Sequence, residues 1–452
     1  MNRRDFFKAT GVGAAALAVP RWLRAAAGSQ PAGPAGQRPN FIVIFCDDLG
    51  YGDIGCYGAK DIRTPNIDRM AKEGLRFRSF YVAAPVCSAS RAALLTGMTP
   101  QRAGVSGALR PDAENGLSTR FPTIPSVLKK QGYATMCVGK WHEGFKPGNQ
   151  PLDHGFDHYY GIPWSNDMGM AKDMDFAPDA VRREGKSGPP LVRDRLVIEA
   201  PVDLDTLTQR YTAESIKFIE ANKDRPFLLY LPHTMPHVPL HASEAFRGKS
   251  ARGLYGDVVE ELDWSAGRIL ETLQRLGLDK NTLVVFTSDN GPWLAKGKAG
   301  GSAGPLRDGK FSNYEGGIRM PAIFRWPGRI QAGWETDFPA STMDLLPTLA
   351  TLAGAPVPQG LDGCDISGYL LGGPSAKPPR ECLLVAGIVR QGPWKLRQGK
   401  DGPELYNLDG DVGEKNNLAD KMPEKVKELQ AMASDTGKKG AGGARLKKGE
   451  PG

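Results

Sequence analysis

The 452-residue chain is poor in cysteine, with only six (46, 56, 87, 137, 364 and 382) and no Cys-x-x-Cys spacing among them. That spacing pattern excludes a structural zinc ribbon, and a chain this long can bury a core without a disulfide framework. Cys46 and Cys137 lie in apolar, strand-like runs and read as core thiols; Cys364 and Cys382 could pair, but nothing in the sequence requires it. Long hydrophobic runs are also lacking. The apolar stretch at residues 9–19 falls short of the ~20 residues that span a bilayer, and no other stretch qualifies. An excess of charge of one sign is missing from the body of the chain. The formal +8 resides at the two ends, residues 1–27 and 437–452, and leaves the rest neutral, so there is no general pull on nucleic acid or membrane. A phosphate loop is absent too. Residues 304–310 read G-x-x-x-x-G-K, but Phe311 stands where Ser or Thr is needed and no apolar strand comes before. Gly11-Val12-Gly13 lies inside the leader and carries no cofactor meaning, and there are no internal repeats.

What is present begins with Arg3-Arg4, the apolar stretch, then Ala25-Ala26-Ala27. That order is a twin-arginine secretory signal, cleaved near Ala27, so the folded protein is expected to be exported to the periplasm or beyond. A Pro/Gly-rich linker (28–39) follows, then a body at 40–377. There the continuous apolar run at residues 41–46 predicts a strand buried on both faces. Thr64 and Pro65 predict a helix start, closed by Gly74. The alternation continues: helix 123–131 and strand 133–138, helix 207–221 and strand 226–231, helix 254–276 and strand 282–287. Strands alternating with helices predict an α/β fold, a large mostly parallel sheet with helices on both faces, its site at the strands' carboxyl ends. Residues 167–201 are polar and read as an irregular insertion over that site. From about 378 the texture changes. Strands at 383–389, 394–396 and 404–407 and a helix at 423–432 predict a small antiparallel C-terminal subdomain (378–436), before a disordered basic tail (437–452).

Several residues carry chemistry. Asp47-Asp48 and Asp289-Asn290 follow two apolar strands and offer three carboxylates and an amide oxygen, a donor set for a hard divalent cation, calcium before zinc. Lys140 and His142 flank Trp141 at a strand end, which in an extended chain would turn both to one side. His233, His237 and His241 fall four apart, but Pro232, Pro236 and Pro239 exclude a helical metal face. Cys87 opens an apolar helix, whose N-terminus adds amide N–H groups and a favourable dipole for an anion.

Cys87-Ser88-Ala89-Ser90-Arg91, followed by Ala92-Ala93-Leu94-Leu95-Thr96-Gly97, resembles the signature of the formylglycine-dependent sulfatase family, with its arylsulfatase A-like members. The resemblance extends further. Gly132 to His142 is similar to that family's second signature, Pro236-His237-Val238-Pro239 to its Pro-His-x-Pro loop, and Gly309-Lys310 with Tyr314-Glu315-Gly316-Gly317 to its lysine segment. Gly161-Ile162-Pro163-Trp164-Ser165-Asn166-Asp167 resembles the run in which a serine lies near the catalytic histidine, and the two acidic pairs are similar to the family's metal ligands.

The resemblance implies an alkaline-phosphatase-like fold and hydrolysis of sulfate monoesters. It implies oxidation of Cys87 to formylglycine by a maturation enzyme, and one calcium ion held by Asp47, Asp48, Asp289, Asn290 and the modified Cys87. Arg91 then holds the formylglycine hydroxyl, and Lys140, Lys310, His237 and Ser165 bind the sulfate. One hydroxyl of the hydrated aldehyde attacks sulfur, His237 with Lys310 protonates the leaving oxygen, and His142 takes the second hydroxyl's proton to return the aldehyde. A serine has no second hydroxyl with which to expel sulfate. Sulfated carbohydrates are the expected substrates of an exported hydrolase, with aryl sulfates as surrogates. A phosphodiesterase or phosphonate monoester hydrolase of the same superfamily and a non-catalytic glycan-binding relative remain as alternatives.

Overall fold

A computed structural model describes residues 38–441 apart from Lys186, with the side chains of 435–441 outside the description. The expected leader (1–27), linker residues 28–37 and the tail beyond Ala441 lie outside the described residues.

The run Asn40–Cys46 (β1) is buried at all seven residues. Successive side chains point to opposite faces, so Ile42, Ile44 and Cys46 enter one apolar cluster and Phe41, Val43 and Phe45 another. This run therefore lies in the middle of the sheet. The strands that follow are β2 (Leu75–Tyr81), β3 (Ala134–Val138), β4 (His158–Gly161), β5 (Phe176–Arg182), β6 (Leu191–Arg193), β7 (Leu196–Ala200), β8 (Phe227–Pro232), β9 (Thr282–Ser288), β10 (Arg319–Arg325), β11 (Trp334–Thr336) and β12 (Ala340–Ser341). They form one mixed sheet in the order β11-β2-β10-β9-β1-β8-β3-β4-β6-β7-β5, with β12 beside β2.

β1 runs parallel to β8 and β9, and β3 runs parallel to β8 and β4. β10 is antiparallel to both β9 and β2, so β2 points the same way as β9. The carboxyl ends of β2, β9, β1, β8, β3 and β4 therefore open on one edge. Helices Leu207–Ala221 and Leu254–Arg275 cover one face, and Cys87–Thr96, Ile124–Lys129 and Leu345–Leu352 cover the other. A second sheet, β13 (Leu383–Val385), β14 (Ile388–Gln391), β15 (Trp394–Gln398) and β16 (Pro403–Asn407), is antiparallel in chain order. Val426 and Leu429 of the last helix, Pro423–Ala441, cover it against Val389, Leu396 and Leu405.

The sequence expectations differ from the structure in five places. Residues 167–201 are not an irregular insertion throughout, because β5, β6 and β7 extend the main sheet beyond β4. Their buried Leu191, Val192 and Val197 are few and set among polar residues, which hides the strands from a pattern reading. The expected strand at 383–389 is two strands, turned at Ala386-Gly387, where both residues adopt positive φ (49° and 75°), as a two-residue hairpin requires. Thr64 precedes its helix but does not cap it. Its hydroxyl accepts from Gly55 N–H and donates to Asp68, while Asp263 of the helix Leu254–Arg275 accepts the orphan amides of Asn66 and Ile67. Gly74 follows that helix without a left-handed turn; a Cβ there would lie 2.4 Å from the Phe324 carbonyl oxygen, so close backbone approach is the reason for glycine. Lastly, the helix expected to end near 432 runs on to Ala441, through the first residues of the expected tail.

Candidate active site

The edge where the parallel strands end gathers the predicted residues. The β1–β9 register pairs Cys46 with Ser288, so Asp47-Asp48 and Asp289-Asn290 leave the sheet side by side. Asp48 N–H donates to Asp289 Oδ1 (3.1 Å) and Asn290 Nδ2 donates to Asp48 Oδ1 (2.7 Å). Beyond β3, Lys140 Nζ donates to Asp47 Oδ2 (2.5 Å) and to Ser165 Oγ (3.2 Å), the latter carried by the segment after β4. Lys310, on the segment that leads into β10, places Nζ 2.8 Å from Asp48 Oδ1.

Cys87 opens the helix Cys87–Thr96, which is buried at all ten residues and stopped by Gly97 in the left-handed conformation. The small Ala89, Ala92 and Ala93 let that helix lie within the fold. Arg91, one turn on, donates through Nε and Nη2 to Asp289 Oδ2 (3.0 and 2.7 Å) and through Nη1 to the Lys140 carbonyl (3.1 Å). Three carboxylates and three cations thus share one buried cluster.

Electrostatics separates the titratable groups. Burial opposes the charge on Asp47, but Lys140, then His237, Arg91 and Lys310, hold its carboxyl well below the ordinary range. Burial and the Asp47 charge push Asp289 upward. Burial raises the Cys87 thiol against the pull of Lys140 and Lys310, so an unmodified cysteine here is a protonated, weak nucleophile. Burial lowers both His142 and His237, leaving neutral rings whose tautomers follow from their neighbours.

His142 Nε2 is 2.9 Å from the Leu109 carbonyl, an acceptor, so Nε2 carries the hydrogen. Nδ1 is then a bare lone pair, buried without a partner. For His237, Asn166 Nδ2 donates to the His237 and Pro239 carbonyls (3.2 and 2.9 Å), which turns Asn166 Oδ1 toward His237 Nδ1 at 3.1 Å. The Val238 carbonyl lies 2.6 Å from the same nitrogen. Nδ1 therefore carries the hydrogen, and Nε2 faces the cluster, 3.7 Å from Asp48 Oδ2. Each neutral ring thus keeps one nitrogen able to take up a proton, Nδ1 of His142 and Nε2 of His237.

The residues fit a hard cation. Asp47 Oδ1 and Asn290 Oδ1 are buried oxygens with no hydrogen-bond partner, an expensive state unless something positive meets them. Asp47, Asp48 and His237 also bring one donor atom each within 4.8 Å of one another. The oxygen-rich set matches calcium chemistry better than zinc.

Two placements depart from expectation, those of Ser165 and His142. Ser165 touches Lys140; it is its neighbour Asn166 that binds His237. His142 has φ 62°, so the extended alternation around Trp141 stops there, and the indole packs near His154 and Phe156 while donating to the Asn149 carbonyl. His233 lies against Ser265 and Tyr211, and His241 against Asp205, which keeps both in structural roles. Sequence reading missed Asn166, whose signal was its place directly after Ser165. It also missed Trp293, which packs on His237 (centroids 5.8 Å apart) and under Lys310 and gives no sequence cue.

A cleft of about 830 Å³ adjoins the site, lined by Arg110, Asp112, Glu114, Lys146, Asp167 and Lys172 among others. A cavity of about 750 Å³ beside Arg325, at the far end of β10, is lined by none of the predicted residues.

Comparison with known proteins agrees with this geometry. The Sulfatase family model matches residues 39–355, and residues 1–20 match the signal sequence of the twin-arginine translocation pathway. The chain is 39% identical over 442 residues to arylsulfatase A of Homo sapiens, covering 87% of both chains. It is 43% identical over 361 residues to N-acetylgalactosamine-6-sulfatase of Rattus norvegicus, covering 75% of this chain and 67% of that one. The crystal structure of Ps i-CgsB in complex with k-i-k-neocarrahexaose superposes with a TM-score of 0.76 at 32% identity, covering 88% of this chain and 93% of that one.

Proposed function

This chain belongs to the sulfatase family, and from that premise we propose that it hydrolyses sulfate monoesters of carbohydrates through an oxidised Cys87 and one calcium ion. It is a sulfuric ester hydrolase with a twin-arginine export signal, and no helix among the described residues is long and apolar enough to cross a membrane. The reading assigns residues 40–377 to the catalytic body and 378–436 to a C-terminal subdomain. A carbohydrate substrate is supported by the relatives: one is named for a sulfated amino sugar and one solved structure holds an oligosaccharide.

The observation that supports the reading most is a pair of neutral histidines beside the charge cluster, His142 with a bare Nδ1 and His237 with Nε2 turned toward Asp48. A sulfate ester is a dispersed anion, so catalysis consists of positioning it, neutralising it and helping the alcohol leave. Calcium, held by Asp47, Asp48, Asp289 and Asn290, would supply positive charge to the sulfate oxygens. Formylglycine at Cys87, produced by a maturation enzyme, would supply a hydrated aldehyde as nucleophile. Arg91, fixed on Asp289, orients the hydroxyl that attacks sulfur. Lys140 and Lys310 share the carboxylates and turn toward the sulfate, with Ser165 setting the Lys140 ammonium. The negative charge of the sulfate ester and Asp48 raise the proton affinity of His237 Nε2, which takes up a proton as the attacking hydroxyl gives one up and delivers it to the alcohol oxygen as the S–O bond breaks. His142 Nδ1 takes the remaining hydroxyl proton at position 87, so that sulfate is released and the site is restored.

Turnover of 4-nitrophenyl sulfate against bis(4-nitrophenyl) phosphate tests the assignment. We expect kcat/KM for the sulfate to exceed that for the phosphate diester by at least about 100-fold, roughly the preference that one well-placed set of site contacts can supply. Preference for the diester would overturn it in favour of phosphodiester hydrolysis.

A further inference from the structure

We infer that Trp293 and Phe311 form the platform on which the sugar ring of the leaving alcohol rests. This deepens the sulfatase reading and depends on it. Trp293 lies between the site and the surface: it meets His237, Lys310 Nζ sits 4.7 Å from its ring centre, and Lys296 Nζ, on an exposed side chain that a ligand must displace, sits 4.3 Å from it. Phe311 stands edge-on to it, with centroids 5.6 Å apart and planes at 84°. Lys310 Nζ, the atom on Asp48, is 5.5 Å from the Phe311 ring centre. The two rings therefore make a corner that begins at the acid histidine and ends in solvent, on the side where the alcohol departs.

Phe311 is conspicuous on two independent counts. At 59% exposure it is the most exposed large apolar side chain among the described residues. Its backbone φ is +71°, a region bulky L-residues rarely enter. A hydrogen bond from its N–H to the Pro85 carbonyl (2.9 Å) helps hold it there. Exposed apolar surface and left-handed backbone both work against stability, and strain of this kind concentrates at ligand-contacting positions. An aromatic corner suits the C–H face of a pyranose, because the ring offers wide, rigid apolar contact.

The neighbouring cleft favours a sugar over a wholly apolar alcohol. It begins at Arg110 and Asp167, next to Leu109 and Asn166 of the site, and mixes donors (Arg110, Lys146, Lys172) with acceptors (Asp112, Glu114, Asp167). A hydroxyl-rich ligand satisfies both kinds, whereas an apolar ring would strip them of water without replacing it.

Calorimetric titration of N-acetylgalactosamine 6-sulfate into the full chain carrying Cys87→Ala, with calcium present, reads binding without turnover. Adding Phe311→Ala should weaken binding about five- to tenfold, the range of one aromatic contact, and Phe311→Trp should restore it to within about threefold by the same measure. Phe311→Gly should weaken binding as much as alanine while Tm stays level or rises, because glycine relaxes the left-handed position. That separates a lost contact from a damaged fold. Unchanged affinity in Phe311→Ala would overturn the platform. So would a Cys87→Ala protein that binds inorganic sulfate but not the sulfated sugar. Binding of neither would overturn the sulfatase reading, and the platform with it.

Discussion

Two clusters of buried charge in this molecule differ in what they leave open. The first is the strand-end cluster of Asp47, Asp48, Asp289, Arg91, Lys140 and Lys310. The second links the two sheets. Lys395 of β15 lies 3.0 Å from Glu315 Oε1 and 2.8 Å from Glu414 Oε1. Glu315 Oε2 accepts from Tyr81 of β2 (2.9 Å) and from Arg319 of β10 (3.3 Å), and Glu414 Oε2 accepts the Glu315 N–H (2.6 Å). Arg390 of β14 donates to the Tyr81 hydroxyl (2.7 Å). Every carboxylate oxygen of this second cluster meets a cation, a hydroxyl or an amide, Glu315 Oε1 and Glu414 Oε1 through the Lys395 ion pairs alone and without a well-aligned hydrogen bond. In the first, Asp47 Oδ1 and Asn290 Oδ1 meet none. A closed network holds elements together, while an open one is prepared for charges that arrive from outside.

Removing one group from each cluster or its rim should affect turnover in one case and stability in the other. Cys87→Ala should lower kcat/KM by about 10⁴-fold or more while shifting Tm only slightly, since alanine is close to cysteine in size and favours the helix that position 87 opens. Lys395→Met should do the reverse. It should cost about 3–5 kcal/mol of stability, because it strands two buried carboxylates, and leave kcat per folded molecule within a few-fold. Chemical denaturation and initial rates on the same preparations read both quantities. If Lys395→Met abolished turnover at unchanged stability, the division between the clusters would be wrong.

Metal comes next in size. Calcium at 100 times its Kd should stabilise the folded chain by about 2.7 kcal/mol, and chelator should reverse the gain. Asp47→Asn should remove most of that increment, and Lys395→Met should keep it. A melting temperature indifferent to calcium in the unmutated chain would contradict the open cluster's role.

The smallest expected effect is on the acid limb of stability. Burial works against the Glu315 charge, but Lys395, then Arg319 and Arg390, hold its carboxyl down to about 2, against roughly 4.3 in an unfolded chain. A depressed carboxyl contributes stability that is fully present above its unfolded value and is lost as pH falls through its folded one. Stability should therefore decline by on the order of 1–3 kcal/mol between about pH 4.3 and about pH 2, and Glu315→Gln should flatten that stretch of the profile. A profile unchanged by Glu315→Gln would show the closed cluster to be inert to acid.

How much of this was legible in the sequence depends on the distance over which each feature is encoded. The strand ends could be read, because a run such as residues 41–46 announces its own burial and the Asp pair follows at once. Arg91, Lys140 and Lys310 were legible through motif resemblance, and strand order brings them together. The caps and turns were not. Asp263 caps a helix nearly 200 residues away in sequence, which no local pattern contains. Nor does spacing show that Asn166 fixes the His237 tautomer, or that Trp293 packs against that ring at a tilt, since both depend on how separate loops fold over one another. The strands in residues 167–201 were missed because few of their side chains are buried, so polarity masked their pairing.

Mass spectrometry of the tryptic peptide covering residues 79–91, from protein exported and folded in its native host, reads the proposed modification itself. An aldehyde in place of the Cys87 thiol is the expected result. An unmodified thiol throughout the folded, exported pool would contradict it.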